Sequence, residues 1–132
     1  MRRICFCYLA GFCLFMFFLS SCTALRQPAP IRGDFAHIVL FWMEGQSEAA
    51  KATFRKDMED FIKSSAYAQS MHIGTPAGTD RAVVDNSYDF CLIVTFASKT
   101  EHDRYQKEQV HLDFIEKTKG LWSKLQIYDS VR

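Results

Sequence analysis

Tyr105 and His111 are six residues apart in the C-terminal third of this 132-residue chain, and a phenol with an imidazole is a pair capable of acid-base chemistry. An imidazole titrating near neutrality can take a proton from carbon next to a carbonyl, and a phenol can donate a hydrogen bond to the enolate oxygen that forms. Six residues along an unbroken helix turn two side chains about 120° away from each other, so joint chemistry requires the helix to break between them. The run Tyr88-Asp89-Phe90-Cys91-Leu92-Ile93-Val94-Thr95-Phe96-Ala97-Ser98 leads into this pair and reads as a strand passing through a helix cap. The plainer reading is that both side chains are structural.

Other polar residues sit in apolar surroundings. His37 lies in the first strand, where a hydrogen-bonded core histidine is the usual role. His102, one turn before Tyr105, is expected to be half exposed, with a second polar position in a pocket as the alternative. Of five cysteines, Cys5, Cys7, Cys13 and Cys22 fall in the leader region, leaving Cys91 alone in the domain. A single thiol excludes an intramolecular disulfide, and no Cys/His spacing suits zinc, so neither a metal nor a cofactor is expected.

The elements that would position these residues follow from periodicity. Phe35 to Trp42 is apolar apart from His37 and rich in strand formers. Ser47 offers a helix cap, Glu48 favours the positive helix end, and Ala50, Phe54, Met58, Phe61 and Ile62 recur at helical spacing. Met71 to Thr75 predicts a short strand, and Thr79 to Ser87 a loop in which Ala82-Val83-Val84 is a possible hairpin extension. Asp89 to Phe96 predicts a strand with Phe90, Leu92, Val94 and Phe96 on one face. Ser98-Lys99-Thr100-Glu101 matches a capping box that opens a second helix. A third helix, about Val110 to Ser123, places His111, Phe114, Ile115, Thr118 and Trp122 on one face, and Leu125 to Val131 alternates as a last strand. The order β-α-β-β-α-α-β defines an α+β fold, a four-stranded antiparallel sheet with helices on one face. That layer leaves Ile38, Leu40, Trp42, Cys91 and Ile93 facing away from the helices, a larger apolar surface than a monomer usually exposes, so something must cover it. The tether folded over the sheet is the weaker cover, since residues 23–34 hold only Leu25 and Ile31 as large apolar side chains.

The N-terminus differs from the rest. Arg2 and Arg3 precede an apolar run from Ile4 to Leu19, shorter than the about 20 residues of a membrane-spanning helix, and small residues follow. Residues 1–21 read as a signal peptide, and Leu19-Ser20-Ser21-Cys22 resembles the lipobox of bacterial lipoproteins, which implies acylation at Cys22 and attachment to a membrane of the cell envelope. An uncleaved signal-anchor helix and an ordinary cleaved signal are the alternatives. Residues 22–34, with Pro28, Pro30 and Gly33, form a tether, and the domain occupies 35–132. Without Arg2 and Arg3 the 16 basic side chains fall to 14 against 15 acidic ones, which gives no electrostatic footprint for nucleic acid.

The strand around His37-Ile38-Val39-Leu40-Phe41, the Tyr88 to Ser98 run, Tyr105 and His111 together resemble the stress-responsive α/β-barrel domain, Dabb, a homodimeric relative of the ferredoxin-like folds. The resemblance covers residues 36–131 and implies a dimeric α/β barrel. One plant polyketide-cyclase branch of that family uses a tyrosine and a histidine as its acid-base pair. Their matches are Tyr105 and His111, with Asp129 matching the carboxylate beside the catalytic histidine, Trp122 a tryptophan and His37 the first-strand histidine. Phe90 stands where that branch has a second strand histidine, and Glu108-Gln109 stands where it has His-Pro. The resemblance implies an apolar pocket walled by Phe90, Leu92, Val94 and Trp122, with His37 at its edge. It fits three kinds of protein: a lipid-anchored binder of a small apolar or aromatic molecule, a cyclase-like or monooxygenase-like enzyme, or a pure assembly protein.

Overall fold

The computed structural model describes residues 29–132. The expected signal peptide, the expected acylation site Cys22 and the first part of the expected tether lie outside the described residues. The elements run β1 (Phe35–Trp42), α1 (Glu48–Ser64), β2 (Ser70–Gly74), β3 (Phe90–Phe96), α2 (Lys99–Tyr105), α3 (Gln109–Thr118) and β4 (Lys124–Val131). The strands form one antiparallel sheet in the order β2-β3-β1-β4. The most apolar strands, β1 and β3, take the centre, as their two-sided apolar pattern requires.

Alternation sorts the residues of β1 and β3 onto two faces. Phe35, Val39, Phe41, Phe90, Leu92, Val94 and Phe96 pack with Phe54, Met58, Phe61 and Ile62 of α1, Tyr105 of α2 and Phe114 of α3 in one buried cluster. On the opposite face Ile38, Leu40, Cys91 and Ile93 are half-buried. Ile38 pairs across the sheet with Tyr128 of β4, whose side chain is 56% exposed.

Helix ends are set by local chemistry. Ser47 Oγ accepts from the Ala50 amide at 3.2 Å, and Ser98 Oγ accepts from the Glu101 amide at 3.3 Å. The expected capping box is only half formed, because the Glu101 carboxylate turns outward to Arg104 at 2.8 Å. Helix α3 stops at Thr118, short of the expected Ser123, because the chain must turn to pair with β1: the Ser123 amide donates to the Trp42 carbonyl at 2.7 Å. Trp122 therefore lies beyond the helix. Residues 79–87 form no hairpin, and Val84 instead closes a turn onto Arg81 at 2.9 Å. β3 starts at Phe90 rather than Asp89, whose carboxylate accepts from the Met43 amide at 2.6 Å and pairs with Lys51 at 2.7 Å.

The segment before β1 joins the sheet at Gly33, whose φ is +82°. A β-carbon there would lie 2.3 Å from the Phe96 carbonyl oxygen. The Asp34 amide can then donate to the same carbonyl at 3.0 Å.

Trp42, expected on the free sheet face, is largely covered by its own chain. Its indole N–H donates to Ser87 Oγ at 3.0 Å, and the Lys124 ammonium sits 4.0 Å from the ring centroid. The loop before β3 and the start of β4 meet at this corner and bury it.

Candidate functional site

Helix α2 ends at Tyr105 and α3 begins at Gln109, so the break that the Tyr105 and His111 spacing requires is present. No proline makes it. Gln106, Lys107 and Glu108 turn the chain, and Glu108 holds an extended backbone at the α3 N-terminus with no side-chain cap to its own helix. Its carboxylate reaches the loop after α1 instead, accepting from Ser65 Oγ at 2.6 Å and from the Ala66 amide at 2.8 Å. Ser65 Oγ in turn accepts from the amides of Tyr67 and Ala68 at 3.2 and 3.3 Å. Glu108 is thus drawn out of the helical path by a partner in another element.

The break brings the Tyr105 and His111 rings to 4.8 Å between centroids, with Phe61 of α1 stacked against Tyr105 at 5.6 Å. Tyr105 is 1% exposed. Burial, and then the Glu108 charge, push its phenol far above the ordinary tyrosine range, so it is a hydrogen-bond donor and not a phenolate. His111 sits at a contact of 3.2 Å between Nδ1 and the Gln106 carbonyl. A carbonyl only accepts, so the proton of this bond is on Nδ1, and Nε2 is the basic nitrogen of the neutral ring. Burial lowers the His111 pKa and the charge of His37 adds to this, against the opposing Gln106 carbonyl and Glu108, so the ring is neutral at physiological pH.

Asp129 does not partner His111. On β4 it faces His37 across the sheet, and its Oδ1 lies 2.7 Å from His37 Nδ1. The register explains the difference, because β4 pairs with β1 and places the carboxylate beside the first-strand imidazole. His37 and His102 are both buried, at 5% and 4% exposure, which corrects the expectation of a half-exposed His102. Its ring stacks on Phe35 at 4.4 Å and lies 4.8 Å from that of His37. Burial, followed by the His37 charge, lowers its pKa, with the nearby carboxylates of Asp129 and Asp103 opposing.

A cavity of about 50 Å³ lies between the sheet and the helices. Its lining brings together His37, Tyr105, His111 and Trp122 with Leu92 and Phe61. Phe90 and Val94 do not reach it; both are buried in the core, where the Phe90 ring lies 5.8 Å from that of Phe54 of α1. The Trp122 indole N–H is buried without a hydrogen-bond partner among the described residues. A larger groove of about 300 Å³ between α1 and α3 is edged by Asp57, Asp60, Asp113 and Lys117; it is an open charged surface without an imidazole. Cys91 lies on the opposite sheet face with its pKa raised by burial, which leaves a protonated thiol of low reactivity.

Residues missed from the sequence are Ser65 and Glu108. Neither belongs to an apolar stripe, and the only signal was the missing proline, which left the helix break without a visible cause.

The layered sheet, its strand order and the helices on one face define a ferredoxin-like α+β protein. The chain belongs to the stress responsive A/B barrel domain (Dabb) family, whose model matches residues 35–132. Among solved structures, a Dabb family protein from Mesorhizobium loti matches with a TM-score of 0.64 at 18% identity, covering 76% of this chain and 98% of that one. A dimeric ferredoxin-like protein of unknown function from Thermobifida fusca matches with a TM-score of 0.64 at 13% identity, over 80% and 97% of the two chains. Hydroxynitrile lyase from Passiflora edulis matches with a TM-score of 0.65 at 16% identity, over 76% and 94%. Identities this low establish a shared fold. No match is found among curated proteins.

Proposed function

We propose that this protein is a lipid-anchored, homodimeric Dabb-domain binder of a small, mainly apolar molecule carrying one hydrogen-bond acceptor. The observation that carries this reading is the unpartnered Trp122 N–H, on a residue that lines a cavity walled mainly by apolar side chains together with His37, Tyr105 and His111. A buried donor without an acceptor costs about 1–3 kcal/mol, and a ligand oxygen would remove that cost. A water occupies about 30 Å³ of liquid, so a hollow of about 50 Å³ admits only a few heavy atoms before side chains move. Exposed Ile127 on the edge strand β4, 42% accessible, lies on the cavity lining and supplies the movable wall.

Dimerisation rests on the free sheet face. Ile38, Leu40, Cys91, Ile93 and Tyr128 make a continuous half-exposed surface, and both the Thermobifida fusca protein and one from Bacteroides fragilis are described as dimeric. The lipid anchor rests on the apolar run before Cys22; among the described residues no helix is long and apolar enough to cross a membrane.

Binding is tested by thermal shift and equilibrium dialysis of the full-length protein against small cyclic ketones, aldehydes and phenols. Trp122→Phe should weaken binding of acceptor-bearing compounds and leave plain hydrocarbons unaffected. Equal loss for both kinds, or no binding of any, would reject the reading.

The convergence of Tyr105 with His111 favours a second reading, an acid-base enzyme. In it His111 Nε2 takes a proton from carbon beside a carbonyl while the Tyr105 phenol holds the enolate oxygen. Exchange of such hydrogens for deuterium in the ketones tested above would measure it. His111→Ala should lower the exchange rate about 10²–10⁴-fold, and an unchanged rate would exclude His111 as the base.

A further inference from the structure

We propose that His37, His102 and Asp129 form a site for a divalent transition-metal ion of the zinc class, distinct from the pairing of Tyr105 with His111. The three residues come from β1, α2 and β4, and one donor atom from each lies within 4.8 Å of the others. Two imidazoles and one carboxylate are the donor set that suits zinc and its first-row neighbours, whereas magnesium and calcium prefer all-oxygen sites.

A second observation is independent of that grouping. His102 Nδ1 is buried with no hydrogen-bond partner among the described residues. The Asp103 carboxylate stands 3.7 Å from it, beyond hydrogen-bonding range. The other ring nitrogen, Nε2, has only a long contact of 3.4 Å to the Gln106 amide nitrogen. Phe35 and Phe96 hold the ring from two sides, at 4.4 and 5.3 Å, so the imidazole is fixed where its polarity goes unused. Packing alone would be served as well by the apolar side chain expected at such a position, and a metal ion gives the second imidazole a partner.

Zinc binds imidazole nitrogen at about 2.0–2.1 Å and carboxylate oxygen at about 2.0–2.2 Å, which sets donors around a tetrahedral ion about 3.4 Å apart. The widest donor pair, up to 4.8 Å apart, must close by on the order of 1 Å. With His37 binding through Nδ1, that nitrogen and Asp129 Oδ1, now 2.7 Å apart, must release the proton between them and separate, a shift open to Asp129 because its side chain is 45% exposed on an edge strand. Three protein ligands leave a position open for water. His37 also lines the cavity, so the ion would stand at its rim.

The test uses the full-length chain without a polyhistidine tag, stripped of metal by chelation and titrated with Co²⁺ followed by absorption, and with Zn²⁺ followed by calorimetry. One equivalent should bind, giving visible d–d bands without the near-ultraviolet charge-transfer band of thiolate ligation, and Zn²⁺ should raise the melting temperature. His102→Gln and Asp129→Asn should each weaken binding roughly tenfold or more, while His72→Gln on β2 should not. Asp129→Asn alters an exposed side chain and carries the test if His102→Gln fails to fold. Absence of one-equivalent binding, thiolate ligation alone, or equal affinity in all variants would overturn the proposal.

Discussion

The carboxylate of Glu108 lies 2.6 Å from the hydroxyl of Ser65, 43 positions earlier in the chain, and this contact separates α2 from α3. A glutamate in the middle of a continuous helix would point into solvent. Here it also accepts the Ala66 amide, which fixes the turn between the helices against the C-terminal end of α1. Tyr105 and His111 consequently meet over Phe61, at 5.6 and 5.5 Å from its ring centroid.

Glu108→Ala removes both acceptors from this junction. It should destabilise the domain by about 1–3 kcal/mol in urea denaturation, since hydrogen bonds to a charged group are lost and two donors lose their partner. Glu108→Gln retains an acceptor oxygen and should cost less. A change under about 0.5 kcal/mol for the alanine variant, the range of ordinary surface substitutions, would show that the break needs no such anchor.

The depressed pKa of His111 makes a signed prediction. An unfolded histidine titrates near 6.5, and the folded value lies below that. Between the two the unfolded state binds more protons, so the contribution of this ring to stability is fully present above about pH 6.5 and is lost as pH falls through the folded value. The charged and polar groups around the ring are Glu108 and the Gln106 carbonyl, which favour protonation, and His37, which opposes it. Stability curves at pH 7 and pH 5 should converge when His111→Gln is compared with the parent protein. An identical pH dependence in both would show that another group sets the slope.

The sheet face supplies the dimer prediction. Leu40→Asp or Ile93→Asp places a charge on the half-buried outward surface and should give monomers or aggregates in sedimentation velocity. A species that keeps the mass of a dimer after either change would locate the interface elsewhere.

The anchor is tested by fractionation. Cys22→Ala should release the protein from membranes into the soluble fraction, and continued membrane attachment would point to an uncleaved helix.

Element types and their order were legible because apolar periodicity in Phe35 to Trp42, in the Phe54, Met58, Phe61 and Ile62 stripe and in Phe90 to Phe96 is strong. The free sheet face followed from the same alternation. What the periodicity could not show was tertiary pairing. Asp129 met His37 instead of His111 because strand register, set by β4 lying beside β1, decides which imidazole a carboxylate reaches. His102 is buried because α2 lays that turn on Phe35 and Phe96, a contact outside any local pattern. Phe90 and Val94 share the face of Leu92, yet of the three only Leu92 reaches the cavity, the other two being enclosed in the packed core. Trp122 left its expected helix because Ser123 had to bond to the end of β1.

The imidazole of His111 is the direct reporter on the cavity. Its Cε1–H resonance in the full-length protein should shift and saturate as benzaldehyde, phenol or cyclohexanone is added, and Ile115→Trp, which fills the cavity wall, should abolish the shift. A resonance that stays in place for every compound up to millimolar concentration, with the protein folded and dimeric, would contradict the account of a ligand held between sheet and helices.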